Sequence, residues 1–95
     1  LFAIYEASHN ILFIYLLHNM PKLPLLTAKE LGKILVRMGF EKIRQEGSHI
    51  FFQHPDGRTT IIPNHPGEEI DRGLLNKIIK KDLNITRKEF QRYIE

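Results

Sequence analysis

Histidine is the side chain best suited to moving a proton near neutral pH, and this 95-residue chain carries five, at His9, His18, His49, His54 and His65. It has no cysteine, which excludes disulfides, thiolate nucleophiles and Cys-based zinc sites. No Gly-rich phosphate loop, assignable Ser-His-Asp set or paired-carboxylate pattern is present. Asn84-Ile85-Thr86 fits a glycosylation sequon, which without secretion is a chance match. His49 stands in the run Gly47-Ser48-His49. One reaction open to a lone histidine is RNA cleavage, because RNA brings its own nucleophile, the 2′-hydroxyl. Such a site needs only a proton acceptor, a proton donor and cations around the phosphate, which suits a small domain without metal ligands. The competing reading of a lone strand histidine is a structural or merely exposed side chain. His54, just before a turn, reads as structural; His65, in a loop, either contacts RNA or caps the loop. A zinc site from His49, His54 and His65 is not expected: His49 and His54, five residues apart on a strand, face opposite sides, and the spacing fits no zinc pattern.

The elements around these residues follow from periodicity. Thr27-Ala28-Lys29-Glu30 has the capping-box pattern. Leu31, Ile34, Leu35 and Met38 recur at helical spacing, and Gly39 is placed for a left-handed cap, so a helix is predicted over 28–38. Its other face shows Lys29, Lys33 and Arg37, a solvated face or a phosphate contact. Three strands follow, at Phe40–Gln45, Ser48–His54 and Arg58–Ile62, joined by the Gly47 turn and by Pro55-Asp56-Gly57, a strong hairpin signal. Asn64–Glu69 is a polar loop. A second helix is predicted from Arg72 to Asp82, with Asp71 as N-cap, Leu74, Leu75, Ile78 and Ile79 as its apolar face, and Asn84 ending it. A second capping box at Thr86-Arg87-Lys88-Glu89 opens a short last helix with Phe90 and Ile94 turned inward.

The expected fold class is therefore α+β, a double-stranded-RNA-binding-like α-β-β-β-α domain with a short C-terminal helix. The helices should cover one face of the sheet and leave the other open. Alternation on the second strand sends Ile50, Phe52 and His54 one way and His49, Phe51 and Gln53 the other. Ile50 and Phe52 suit the core, which puts His49 on the open face or its rim. Phe51 would then be an exposed aromatic able to stack a base or meet a partner.

Residues 1–19, LFAIYEASHNILFIYLLHN, differ from the rest: they hold one acid, Glu6, and no lysine or arginine. Their apolar run Ile11–Leu17 is far shorter than the roughly 20 residues of a membrane span, and a signal peptide's basic start and cleavage site are missing. The expected division is 1–19 as an apolar extension and 20–95 as one compact domain. Met20 is expected to be the natural start; the rival is an extra element that covers an apolar surface or pairs with a sheet edge. From residue 20 onward 14 basic groups face 10 acidic ones, a net +4. That bias is compatible with a polyanionic partner and equally with an ordinary basic surface.

Gly39-Phe40, Arg44-Gln45-Glu46-Gly47-Ser48-His49 and His54-Pro55-Asp56-Gly57-Arg58 together resemble the HicA toxins, also called YcfA-like proteins. Pro63-Asn64-His65, Gly67-Glu68-Glu69 and Gly73-Leu74-Leu75 continue the likeness over nearly all of residues 20–95. The resemblance implies a metal-independent mRNA interferase (an endoribonuclease) of a type II toxin–antitoxin pair, without a cofactor; the cytoplasm is the compartment expected from the absence of cysteine. The resemblance also implies a catalytic histidine at His49 and a HicB-type antitoxin that occludes it. The RNA-binding candidates are Ser48, Arg44, Lys77, Lys80, Lys81 and His65. Arg72 stands where many relatives have proline, and Asn76 where a basic residue is frequent. Rival readings are a non-catalytic double-stranded-RNA-binding-like module, a domain that binds only protein, and a small protein anchored to a membrane through residues 1–19.

Overall fold

The computed structural model describes Ile11 and residues 23–94. The expectations about residues 1–19 and the start at Met20 fall outside the described residues, Ile11 excepted. Among the described residues no helix is long and apolar enough to cross a membrane.

The first helix, α1 (Ala28–Arg37), begins where the sequence says it should. The Thr27 hydroxyl accepts from the Glu30 N–H at 3.2 Å, and Glu30 Oε1 accepts from the Thr27 N–H at 3.0 Å. Two of the N–H groups that a helix start leaves unpaired are thereby satisfied reciprocally. Its buried face is Ala28, Leu31, Ile34 and Leu35. At the other end the Phe40 N–H bonds to the Leu35 carbonyl and the Gly39 N–H to that of Val36, a Schellman cap. Gly39 takes φ 98°, and a Cβ there would sit 2.9 Å from His54 Nε2. Glycine is thus required twice, by the backbone and by the neighbour.

Three antiparallel strands follow in the order β1 (Glu41–Glu46), β2 (His49–Gln53) and β3 (Thr59–Pro63). A two-residue turn, Gly47-Ser48, joins β1 to β2, with Gly47 at φ 56°. Between β2 and β3 the Gly57 N–H bonds to the His54 carbonyl, and Gly57 takes φ 99°. That is a proline-initiated turn closed by a left-handed glycine. Arg58 clamps it: its Nε lies 2.8 Å from Asp56 Oδ2, its guanidinium lies over the Phe40 ring, and it donates to the Leu83 carbonyl. The register pairs Ile50 with Ile62 and Phe52 with Thr60 on one face, and Phe51 with Ile61 and His49 with Pro63 on the other. On β1 the pairing slips between Lys42 and Arg44, leaving Ile43 as a bulge.

The second helical segment differs from the single helix expected over 72–82. It is α-helical over α2 (Arg72–Lys77) and then widens to a π-turn over Ile78–Asp82. The Leu83 N–H reaches back five residues to the Ile78 carbonyl. Within this wider turn Asp82 accepts from the buried Thr60 hydroxyl at 2.9 Å, and the Leu83 carbonyl meets Arg58. Tertiary contacts thus decide the helix geometry where apolar spacing alone reads as ordinary α. Asp71 caps α2 by accepting from the Leu74 N–H, and Asn84, at φ 54°, ends the segment. The last helix, α3 (Arg87–Ile94), opens on the expected Thr86–Glu89 capping box. Arg72 ties α2 to the preceding chain through the Leu23 carbonyl.

Leu31, Leu35, Ile62, Leu75, Ile78, Ile79, Leu83 and Phe90 are fully enclosed. The helices from α1 onward therefore lie on the Ile50/Phe52/Ile62 side of the sheet. The fold is α+β in the order α-β-β-β-α with a further short helix.

Two stability outcomes follow. Gly39→Ala should cost about 1–3 kcal/mol, the scale of a residue forced into a sparsely populated backbone region, read as a lower urea midpoint. The Asp56 carboxyl is held below its ordinary value, first by the Arg58 backbone N–H and further by the Arg58 guanidinium, against a desolvation that opposes them. A depressed carboxyl stabilises the fold above its unfolded pKa of roughly 3.9 and loses that contribution as the pH falls. The stability gap between the parent and Asp56→Asn should therefore shrink on acidification; a gap constant with pH would remove Asp56 from the turn's energetics.

Candidate active site on the open sheet face

β2 sends His49, Phe51 and Gln53 to the side away from the helices, because Ile50 and Phe52 are buried beneath them. His49 is exposed at the turn end of the strand, between Glu46 of β1 and Pro63 of β3. Its side chain has no hydrogen bond or ion pair with another described residue. An imidazole in this setting can meet a substrate with both ring nitrogens.

The next row along the face is Arg44–Phe51–Ile61. The Arg44 guanidinium lies 4.2 Å above the centre of the Phe51 ring, a cation–π stack. Its Nε also lies 3.2 Å from Glu46 Oε1. Both side chains of that pair are well exposed, so the pair positions Arg44 without contributing much stability. Direct cross-strand neighbours in a sheet have Cβ atoms about 4.5–5.5 Å apart. His49, Glu46, Arg44 and Phe51 thus form one contiguous patch holding a proton carrier, a carboxylate, a cation and an aromatic surface. Ile43 and Ile61, both about half exposed, add an apolar border on the same face.

The remaining expected site residues are distributed around this patch. Ser48 is half-buried in the turn, and its carbonyl accepts from the Asn64 N–H at 2.6 Å. That bond fastens the loop carrying His65 to the turn carrying His49. His65 itself is exposed and lines a cleft of about 510 Å³ on the helical side of the sheet, with Lys29, Lys42 and Gln45. Lys77 lies beside the β3 edge, lining a shallow groove with Thr59 and Ile61. Lys80 and Lys81 are exposed on the π-turn, within the helical layer. The structure therefore joins His49 with Arg44 and Ser48, places His65 and Lys77 at the sheet's margins, and keeps Lys80 and Lys81 off the open face. Glu46 and Lys42 were not among the expected site residues, and Lys29 was expected only as part of a helix face, solvated or in contact with phosphate. The expected strand ends, Gln45 and Ser48, place the turn one residue too early; the structure turns at Gly47-Ser48 and so sets Glu46 opposite His49, and the side taken by Lys42 depends on the bulge.

His54 has the structural place expected of it. Its ring meets Phe40 edge-on with centroids 5.1 Å apart, and its Nδ1 accepts from the Asp56 N–H at 3.1 Å.

A family model described as "HicA toxin of bacterial toxin-antitoxin" matches residues 28–85, more than half of the chain. Among curated proteins none matches.

His49, on β2, and His54, in the turn after it, should separate on denaturation. His49→Ala, exposed and without partners, should stay within about 0.5 kcal/mol of the parent. His54→Ala loses a ring contact and the acceptor of an exposed turn N–H, and should cost about 0.5–1.5 kcal/mol. Equal losses would contradict the different burial of the two rings.

Proposed function

The chain belongs to the HicA toxin family of bacterial toxin–antitoxin systems, and from that premise we propose that it is an mRNA interferase that works through His49. The observation that carries this reading is the imidazole of His49, exposed and unbonded among the described residues, on the sheet face opposite α1–α3 and beside the Arg44–Phe51 stack. A base stacks beyond the Arg44 guanidinium or along Phe51, and the cation meets the adjoining phosphate. The 2′-oxygen attacks the neighbouring phosphorus as His49 takes its proton, and the 5′-oxygen leaves as it gains one. The products are a 2′,3′-cyclic phosphate and a free 5′-hydroxyl. In the alternative assignment His49 is the acid that protonates the leaving oxygen. Ser48 orients the histidine through the turn, and His65, Lys77, Lys80 and Lys81 supply further contacts to the RNA.

The antitoxin partner implied by the family has a surface to meet on the same face. Ile43 and Ile61 are exposed there next to the half-buried Phe51, and an apolar strip on an open sheet suits a protein partner. A HicB-type antitoxin seated on it would cover His49 and exclude RNA.

His49→Ala should lower the rate of RNA cleavage by about 10²–10⁴-fold, the usual worth of a general acid–base group, and should abolish growth arrest. Parental toxicity and cleavage in that variant would end the assignment. An RNA carrying a single 2′-deoxy sugar at the cut site should resist the parent enzyme; efficient cutting there would exclude attack by the 2′-oxygen.

A further inference from the structure

Two concavities flank α1 on the helical side of the sheet, and they share Lys29 and Lys42. The first, of about 510 Å³, lies between the start of α1, β1 and the loop after β3, with His65 on its wall. The second, of about 450 Å³, follows the seam between α1 and β1 past Lys33 to Arg37. No aspartate or glutamate lines either one. Joined at the shared lysines, they make one basic groove.

Its cations are ordered. Lys29, Lys33 and Arg37 are four residues apart, so they share a side of α1 at intervals of about 6 Å along its axis. Lys42 faces them from β1. Like charges at four-residue spacing weaken a helix. The one acid of α1, Glu30, lines neither concavity; it is turned back onto the Thr27 cap, whose hydrogen bonds hold its carboxyl below the ordinary value, with a smaller contribution from the charge of Lys33. Lys42 Nζ donates to the neutral Gln45 at 3.1 Å. Arg37 donates to the Tyr93 carbonyl at 2.8 Å, which anchors it at the end of the groove. Phe52 and Gly32 form part of the lining; a Cβ on Gly32 would lie 3.4 Å from Phe52 Cζ, so glycine keeps the bed of the groove low.

The bulge at Ile43 connects this groove to the open face. Residues 42 and 44 of an unbroken strand point the same way. Here Lys42 pairs with Phe52, on the helical side, and Arg44 with Phe51, on the open side. The edge strand β1 thus presents one cation to each face.

We propose that the α1–β1 groove is a second RNA-binding site, which holds backbone phosphates of the strand whose cut site lies at His49. The strand passes round the exposed edge of β1, handed from Arg44 to Lys42 and then along Lys29 and Lys33. The inference rests on the ribonuclease reading and assigns that reaction a positioning surface away from the chemistry.

The test uses the His49→Ala protein, so that RNA is bound without being cut. Binding of a fluorescent single-stranded RNA, long enough to reach round β1, is read by anisotropy over a range of salt concentrations. Each phosphate contact contributes about 0.7 to the slope of log affinity against log salt for a single strand. Adding Lys29→Gln, Lys33→Gln and Lys42→Gln together should lower that slope by about 2, and Lys33→Gln alone by about 0.7. Lys88→Gln with Arg92→Gln, on α3, should leave it unchanged. A groove variant with an undiminished slope, or an α3 variant that loses as much, overturns the proposal. With His49 intact, the groove variant should show a raised KM on the long RNA but parental cleavage of a short RNA spanning only the cut site; equal loss on both also overturns it. If His49→Ala still cleaves like the parent, the ribonuclease reading fails instead, and the salt slopes still report on the groove.

Discussion

Burial of Ile50 and Phe52 beneath the helices fixes the register of β2, and every side chain on the other face takes its position from that burial. A strand's side-chain period is two, so a slip of one residue would carry His49 and Phe51 into the core and expose Ile50 and Phe52. Full burial of one large apolar side chain contributes about 1.5–3 kcal/mol; the slip would expose two and regain only one, Phe51, while burying an imidazole. The catalytic candidate is therefore held on the open face by the core rather than by contacts of its own, which is how a histidine without hydrogen-bond partners comes to be fixed in place.

The same sheet is finished by polar ties that cross between elements. Arg58 binds Asp56 within its hairpin and Leu83 in the π-turn, and Thr60 reaches Asp82 beside it. The Asn64 to Ser48 bond fastens the loop after β3 to the β1–β2 turn. These ties keep the two ends of the sheet from moving apart, and the second brings the His65 loop close to the His49 turn. The cost is visible at the edge: β1 is exposed along its length, and its bulge leaves Ile43 half-uncovered. A bulge at an edge also discourages pairing with a foreign strand, so one local irregularity protects the sheet and redirects a cation.

Much of the architecture was legible in the residues themselves. Local signals act over three to five residues and depend little on the rest of the chain. The Thr27 and Thr86 capping boxes, the left-handed cap at Gly39, the helix end at Asn84 and the Pro55-Asp56-Gly57 turn all hold for that reason. Alternation on β2 likewise placed His49 and Phe51 opposite Ile50 and Phe52, because a one-sided core leaves one face to be polar. The family likeness carried by Gly47-Ser48-His49 and its neighbours supplied what spacing alone left open, a catalytic rather than a structural reading of His49.

Three features were decided only by tertiary structure. The π-turn at Ile78–Asp82 has the same apolar spacing as an α-helix and is set by where Asp82 and Leu83 must meet Thr60 and Arg58. The stack of Arg44 on Phe51 and the opposite facing of Lys42 depend on a bulge, which adds a residue to one strand without leaving a mark in the hydrophobic pattern. The division of the basic residues among the open face, the β3 margin and the α1–β1 groove follows from how the helices lie across the sheet. The sequence by itself determined that His49 would be exposed near a turn; packing determined which cations stand within its reach.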